Sequence, residues 1–277
     1  MDLGLTDVHV LITGSSGGIG LETTRLFLQQ GAKVTAHYHS VSGLAKLQPL
    51  ILEFGPSRIF PFQAQLTSES DTAALFSTAS ASLGPAQIAV INHAVSPPEN
   101  VPVAEMSLER WRATLDTNLT GAFLVARELL KSLKAVEDAK VKEKASIVFV
   151  GSTAGKYGEA DHADYAASKS ALMYGLTLSL KNEIVKIAPK GRVNCVAPGW
   201  VKTPKKEGVM ADKDFVYRCV ATSPLKKVAE PSDISNQILV LSSPVLSGHI
   251  TGQVVVVAGG MEGRLLNRMT ENGIEAY

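Results

Sequence analysis

Tyr165 and Lys169 stand four residues apart in the run S-T-A-G-K-Y-G-E-A-D-H-A-D-Y-A-A-S-K, which begins at Ser152. From Tyr165 to Ile187 the pattern has helical period, with Leu172, Leu176, Leu180 and Ile184 recurring every fourth residue. Residues so spaced stack on one face of a helix, which directs a phenol and an ammonium into the same space. Ser152 follows the apolar run Ser146–Gly151, so its hydroxyl is expected at the carboxyl end of a strand, where open parallel sheets bind ligands. A free phenol ionises near pH 10 and relays protons poorly at neutrality. An ammonium about 4 Å away, at an effective dielectric of about 20, favours the phenolate by up to ~4 kcal/mol, roughly three pKa units. The expectation is therefore a tyrosine lowered toward working pH as general acid or base, beside a serine that donates to a carbonyl oxygen gaining charge during hydride addition.

The elements that must position these groups alternate along the chain. A short apolar strand at Val8–Thr13 runs into Gly14-Ser15-Ser16-Gly17-Gly18-Ile19-Gly20, and a helical pattern continues to Gly31. Glycines in such a turn let the backbone approach a pyrophosphate at the helix N-terminus. The second strand, Lys33–Tyr38, ends in His37-Tyr38-His39-Ser40 without the acidic residue that grips an adenosine ribose. That absence removes a carboxylate that would repel a 2′-phosphate, and imidazoles and a hydroxyl take its place, which favours NADP over NAD. Helices are expected at 41–54 and 68–83 with a strand near Arg58–Phe62 between them, and Ile88–Asn92 is a fully apolar strand. One long helix follows from about Ser107 to Lys134, capped by Ser107, with Asn118 buried inside it. The charged run Lys134–Lys144 reads as a solvated extension of that helix. A sixth strand at Arg192–Ala197 ends in Pro198-Gly199, residues 200–222 form a mixed, polar substrate lid, and Pro231–Leu241 and Gly252–Val257 close the pattern. The tail, 261–277, with Arg264, Arg268 and Glu271, is read as packing on a neighbouring subunit or fraying. With no break in composition, one α/β domain over 1–277 is expected, a doubly wound parallel sheet of Rossmann type with helices on both faces.

Formal net charge is +1 with 45% hydrophobic and 19% charged residues, which gives no basis for a nucleic-acid partner. No apolar run approaches the ~18 residues that span a bilayer, so no membrane association is expected. Cys195 and Cys219 lack metal-ligand spacing, and no metal site is read. Met1–Gly4 has no basic head before an apolar core, which makes the cytoplasm the expected address.

Taken together, Thr13-Gly14-x-x-x-Gly18-x-Gly20, Asn92-x-Ala94, Asn118, Ser152, Tyr165-x-x-x-Lys169 and Pro198-Gly199-x-x-x-Thr203 resemble the single-domain branch of the short-chain dehydrogenases/reductases, in order and over nearly the whole chain. The resemblance implies seven parallel strands and a tetrad: Tyr165 as proton donor, Ser152 holding the carbonyl, Lys169 bonding the nicotinamide ribose and lowering the phenol's pKa, and Asn118 holding a relay water. It implies Gly14, Ser16 and Ile19 along the pyrophosphate and Val201 and Thr203 at the nicotinamide carboxamide. Tyr38, His39 and Ser40 are expected at the adenosine ribose. Two positions depart from the pattern. Asn92-His93-Ala94-Val95 has a valine where a glycine is usual, and Gln65, followed by Leu66, replaces the aspartate that commonly faces the adenine. The implied activity is carbonyl reduction or alcohol oxidation of a small molecule, of 3-oxoacyl-reductase type, by a homotetramer or homodimer joined through the long helices. Ala154, Lys156, Tyr157, Gly158, His162 and the lid are expected to select the substrate. The alternative is a catalytically silent cofactor-binding scaffold, against which the complete tetrad argues.

Overall fold

The computed structural model describes residues 2–204, 207–263, 267–270 and 273–276. Seven parallel strands lie in the order β3-β2-β1-β4-β5-β6-β7. They are β1 His9–Ile12, β2 Lys33–Tyr38, β3 Ile59–Gln63, β4 Ile88–Ile91, β5 Ser146–Val150, β6 Arg192–Pro198 and β7 Val254–Val257. Central strands β1, β4, β5 and β6 are buried at every position, which is why they are mostly apolar; β4 is wholly so. Pro61, which lacks a ladder donor, falls in the edge strand β3.

Alternate side chains feed two cores. Leu11, Ile91, Ile147 and Phe149 join one face, packed by α3 (Glu69–Leu83), α5 (Gly121–Ala135) and the catalytic helix, whose first segment is α8 (Ala163–Ser170). Val10, Ile12, Val34, Val90 and Val148 join the other, under α1 (Gly18–Gln29), α2 (Val41–Phe54) and α12 (Pro231–Ser242). Thr23 Oγ1 and Ser235 Oγ meet at 2.9 Å and tie α1 to α12. The fold is the doubly wound sheet the alternation implied.

Differences lie within elements. The helix expected from Ser107 to Lys134 is capped by Ser107 as read, but it comprises α4 (Leu108–Leu115), a π turn over Asp116–Thr120, and α5. The catalytic helix likewise passes from α8 through a π turn, Ala171–Leu176, into α9 (Thr177–Ile184). The run after Lys134 does not extend the helix: Val136 is extended, and a separate turn, α6 (Ala139–Lys142), is capped by Asp138. Within the lid are α10 (Glu207–Met210) and α11 (Lys213–Val220); the short α7 (Thr153–Tyr157) follows β5, and Tyr157 bonds the Met261 carbonyl. The tail contributes an antiparallel hairpin, β8 Asn267–Thr270 with β9 Gly273–Ala276. Arg264, Glu271 and the side chain of Arg268 lie outside the described residues.

Three histidines are held uncharged by burial. His9 donates from Nδ1 to the Gly84 carbonyl at 2.6 Å and accepts from Thr35 at Nε2. Burial pulls His9 and His37 down to about 4 and His93 to about 3, from 6.5. The unfolded chain binds these protons near the ordinary value and the folded chain does not. Stability is therefore complete above pH 6.5 and is lost as pH falls toward 4, by up to about 1.4 kcal/mol per pH unit for each histidine. Urea unfolding at pH 7.5, 6 and 5 should show the midpoint dropping steeply over the last step; a flat profile would contradict neutral burial.

Candidate active site

The chain reverses direction across the sheet between β1 and β4, and the crevice opens at their carboxyl ends. Thr13 Oγ1 stitches that point: it accepts from the Asn92 N–H at 2.9 Å and the His93 N–H at 3.2 Å, and lies 2.8 Å from His93 Nδ1. Asn92 Nδ2 donates to the Thr13 and Gly14 carbonyls at 3.1 and 3.2 Å. Gly14 has φ +66°, and its N–H donates to His37 Nδ1 at 3.0 Å, so His37 carries its proton on Nε2 and gives it to the Ala64 carbonyl. His37 thus shapes the glycine turn from below; the expectation that it faces a 2′-phosphate is corrected, because burial and two hydrogen bonds consume its ring.

The turn has the form a dinucleotide needs. A Cβ on Gly20 would lie 2.1 Å from the Gly14 carbonyl oxygen, so only glycine permits this approach. Gly17 caps α1 without a side-chain bond, and no acidic residue sits in the helix's first turn. Ser16 and Ile19, both partly buried, flank amide groups that suit a pyrophosphate. Opposite, β6 delivers Pro198 and Gly199, whose N–H bonds the Val257 carbonyl, and Val201 bridges to Ala229. Thr203 and Pro204 stand over the turn: a Cβ on Gly18 would be 2.8 Å from Thr203 Cγ2. At the other end of the crevice His39 and Ser40 are exposed, Ser40 Oγ lies 2.9 Å from Ser42 Oγ, and α2 begins without a capping bond or an acidic first turn. Tyr38, in contrast, is buried in the core and is a wall there, a correction to its reading as a polar contact. Gln65 is exposed at the end of β3 and Leu66 buried beside it. Ala94 is exposed, and Val95 shows no positive φ, so the missing glycine strains nothing.

Ser152 leaves β5 and its Oγ accepts from the Ala154 N–H at 3.1 Å, starting α7. The Ser152 hydroxyl faces the Tyr165 phenol and acts to lower its pKa, but burial dominates and pushes the phenol up to about 12. Lys169 is buried too: Nζ donates to the Val150 carbonyl at 2.8 Å and lies 5.7 Å from the centroid of the Tyr165 ring. Burial brings the amine down to about 8. The expected depression of the phenol is therefore corrected. Both groups have lost water, and desolvation of a phenolate outweighs an ammonium that is turned to a backbone carbonyl.

Asn118 sits in the π turn, fully buried, and its amide is spent: Oδ1 accepts from the Val95 N–H at 2.8 Å, and Nδ2 donates to the Val95 carbonyl at 2.9 Å and Ser168 Oγ at 3.1 Å. The side chain has no donor left for a water.

Among substrate-side candidates, Ala154 is buried, while Lys156, Tyr157 and Gly158 are exposed. Tyr157 Oη donates to the Met261 carbonyl at 2.9 Å, and His162 Nε2 is 3.0 Å from Asn100 Oδ1. Sequence reasoning missed Gly121, whose Cβ would press His93 Nε2 at 3.0 Å, and Gly155, whose Cβ would meet the Lys169 carbonyl carbon at 2.8 Å. Their signal was only small size beside a motif residue.

Comparison with known proteins matches most of the chain. A family profile described as enoyl-(acyl carrier protein) reductase matches residues 14–262. The 3-oxoacyl-[acyl-carrier-protein] reductase FabG of Thermotoga maritima is 30% identical over 252 residues, 91% of this chain and 96% of that one. A cis-4-hydroxycyclohexanecarboxylate dehydrogenase of Sinomonas cyclohexanicum is 29% identical over 251 residues, 90% of this chain and 94% of that one. The crystal structure of a short-chain dehydrogenase/reductase from Brucella melitensis, titled glucose/ribitol dehydrogenase, superposes with TM-score 0.81 at 30% identity, covering 95% of this chain and 100% of that one.

Because α7 rests backbone to backbone on the catalytic helix, Gly155→Ala should cost about 1–3 kcal/mol by overpacking. Thermal unfolding checks this; an unchanged midpoint would show that the two helices do not touch as described.

Proposed function

The chain belongs to the short-chain dehydrogenase/reductase family and is an NAD(P)-dependent oxidoreductase, and from that premise we propose that it uses NADPH to reduce a ketone to a secondary alcohol. The observation that carries this reading is the Ser152 hydroxyl facing a half-buried, protonated Tyr165 phenol at the end of β5, with Lys169 one turn on. A phenol with a pKa near 12 holds its proton at neutrality, which is the form that delivers it to a carbonyl oxygen. Ser152 donates to that same oxygen as charge develops on it. The nicotinamide, when bound, supplies the hydride. Lys169, whose Nζ donates to the Val150 carbonyl, would hold its ribose. With the Asn118 amide fully engaged, backbone carbonyls displaced by the π turn are the groups that order a relay water.

For the cofactor, support for NADP comes from the end of β2. No carboxylate stands there, and His39, Ser40 and Ser42 are grouped at the uncapped start of α2, where the helix dipole favours added negative charge. Gly14, Ser16, Gly18, Ile19 and Gly20 cradle the pyrophosphate, Asn92 and Ala94 wall the adenosine side with Gln65 and Leu66, and Pro198, Gly199, Val201 and Thr203 meet the nicotinamide. The substrate is a small carbonyl compound. Lys156, Tyr157, Gly158, His162 and the lid select it, in a homo-oligomer joined through the long helices.

Tyr165→Phe should abolish NADPH oxidation at 340 nm with every ketone that wild type accepts, while NADPH binding persists. Retained turnover would remove Tyr165 as donor. In fluorescence titration NADPH should bind at least tenfold more tightly than NADH, and the reverse order would overturn the cofactor assignment.

A further inference from the structure

On the catalytic helix, Tyr165 and Lys169 form one stripe, and one position back, about 100° around the axis, Asp164 and Ser168 form another. This second stripe is buried against the long helix. Asp164 is fully buried, and its Oδ2 accepts from Thr114 Oγ1 at 2.8 Å and from Arg110 Nε at 3.3 Å. One turn later Ser168 Oγ accepts from Asn118 Nδ2 at 3.1 Å and donates to the carbonyl of Tyr165 itself at 2.7 Å. The pair Arg110–Asp164 is a poor stability device. Arg110 engages the carboxylate through Nε alone, and its Nη2 and the carboxylate's Oδ1 are buried without partners. A buried ion pair with unmet valences is costly to desolvate, and such pairs contribute specificity of arrangement more readily than net stability.

We propose that Asp164, Arg110, Thr114 and Ser168 are positioning residues that fix the rotation of the catalytic helix about its axis, so that the phenol and the amine point into the cleft. Two anchors a turn apart on one stripe hold the helix against tilt and sliding, and with Leu172 and Met173 of the same helix packed in the core they also oppose roll. A roll of about 10° swings a phenol oxygen some 8 Å from the axis by more than about 1 Å, a misplacement that is known to cost about 100-fold in rate. The anchors also join the two parts of the site, since the helix bearing Asn118 holds the loop after β4 through Val95. Nothing in the Y-x-x-x-K spacing demands an acidic residue before the tyrosine; its partners come from the sequence 54 and 50 residues upstream.

The inference rests on the reading of Tyr165 as proton donor, and two measurements separate the failures. Asp164→Asn keeps the shape and the Thr114 acceptor while removing the charge. It should lower kcat by 10- to 100-fold with KM for NADPH and ketone within about twofold. In protein carrying ¹³C at the tyrosine ζ carbon, the resonance lost in Tyr165→Phe identifies Tyr165. Its titration should move down toward the ordinary phenol range in Asp164→Asn, because a rolled ring regains water and the Arg110 charge is left unbalanced. Thr114→Val, which keeps the ion pair, should give a smaller shift in the same direction, and it decides the matter if Asp164→Asn does not fold. A lowered melting temperature with unchanged titration and unchanged kcat would mark the pair as merely structural and overturn the proposal. If wild type turns over no ketone, the proposed function falls and the titration alone decides whether the anchors position Tyr165.

Discussion

The hydroxyl of Thr13 is the contact on which the site depends. The chain winds β1, β2, β3 in one direction and then crosses to β4 on the other side of β1, so the two halves of the crevice belong to segments nearly eighty residues apart. Parallel neighbours are joined along their length by ladder bonds, but the turns beyond the strand ends have no ladder. Thr13 Oγ1 takes over there, receiving both backbone N–H groups of Asn92 and His93, while the Asn92 amide returns to the carbonyls of Thr13 and Gly14. His37 adds the third strand by accepting the Gly14 N–H. Every one of these bonds needs a neutral imidazole or an amide. A charged group at this depth would have to be desolvated without a counter-charge, and the dominant cause holding His37 and His93 neutral is that same burial.

The same argument explains why the phenol and the amine behave differently from what their spacing alone implied. An estimate from charge attraction at 4 Å treats both groups as if only their mutual field had changed on folding. In the structure each has also lost its water, and that term acts against charge on both: it raises Tyr165 to about 12 and lowers Lys169 to about 8. With the amine directed at Val150, its field at the phenol is too weak to compensate. Burial thus favours the neutral form of both groups, a protonated phenol and an uncharged amine.

What could be read from the sequence follows from how local each cause is. Strands β1, β4, β5 and β6 were legible because a sheet covered on both faces favours apolar residues at most positions, and Gly14–Gly20 was legible because a tight turn before a helix excludes side chains. The closeness of Tyr165 and Lys169 was legible because i and i+4 share a face. The π turns were not. Asp116–Thr120 has no composition of its own; it is wound wide because Asn118 is drawn to the backbone of Val95, a contact that exists only after folding. Thr177, which gives its hydroxyl to the Leu172 carbonyl, does the same service for the second π turn, and threonine at such a place carries no local signal. The inward turn of His37 and Tyr38 was hidden for a similar reason: a polar residue at a strand end looks solvent-facing until the neighbouring strand supplies its partners.

Chemistry and selectivity are consequently built from unlike material. Lys169, Asn118, Ser168 and Asp164 are buried, multiply bonded and held by helices that cannot shift without breaking the core. Tyr157, Lys156 and Lys202 are exposed and Thr203 half-buried, with rim contacts such as Tyr157 to Met261 and Lys202 to Glu230. Surface ion pairs of that kind contribute little, so this rim is the part of the molecule whose arrangement costs least to alter. Chemistry needs positions good to a fraction of an ångström, and admission of ligands needs a rim that yields. One packed core cannot supply both, and the fold resolves the conflict by placing the reacting groups on the sheet side of the cleft and the loosely held ones across from them.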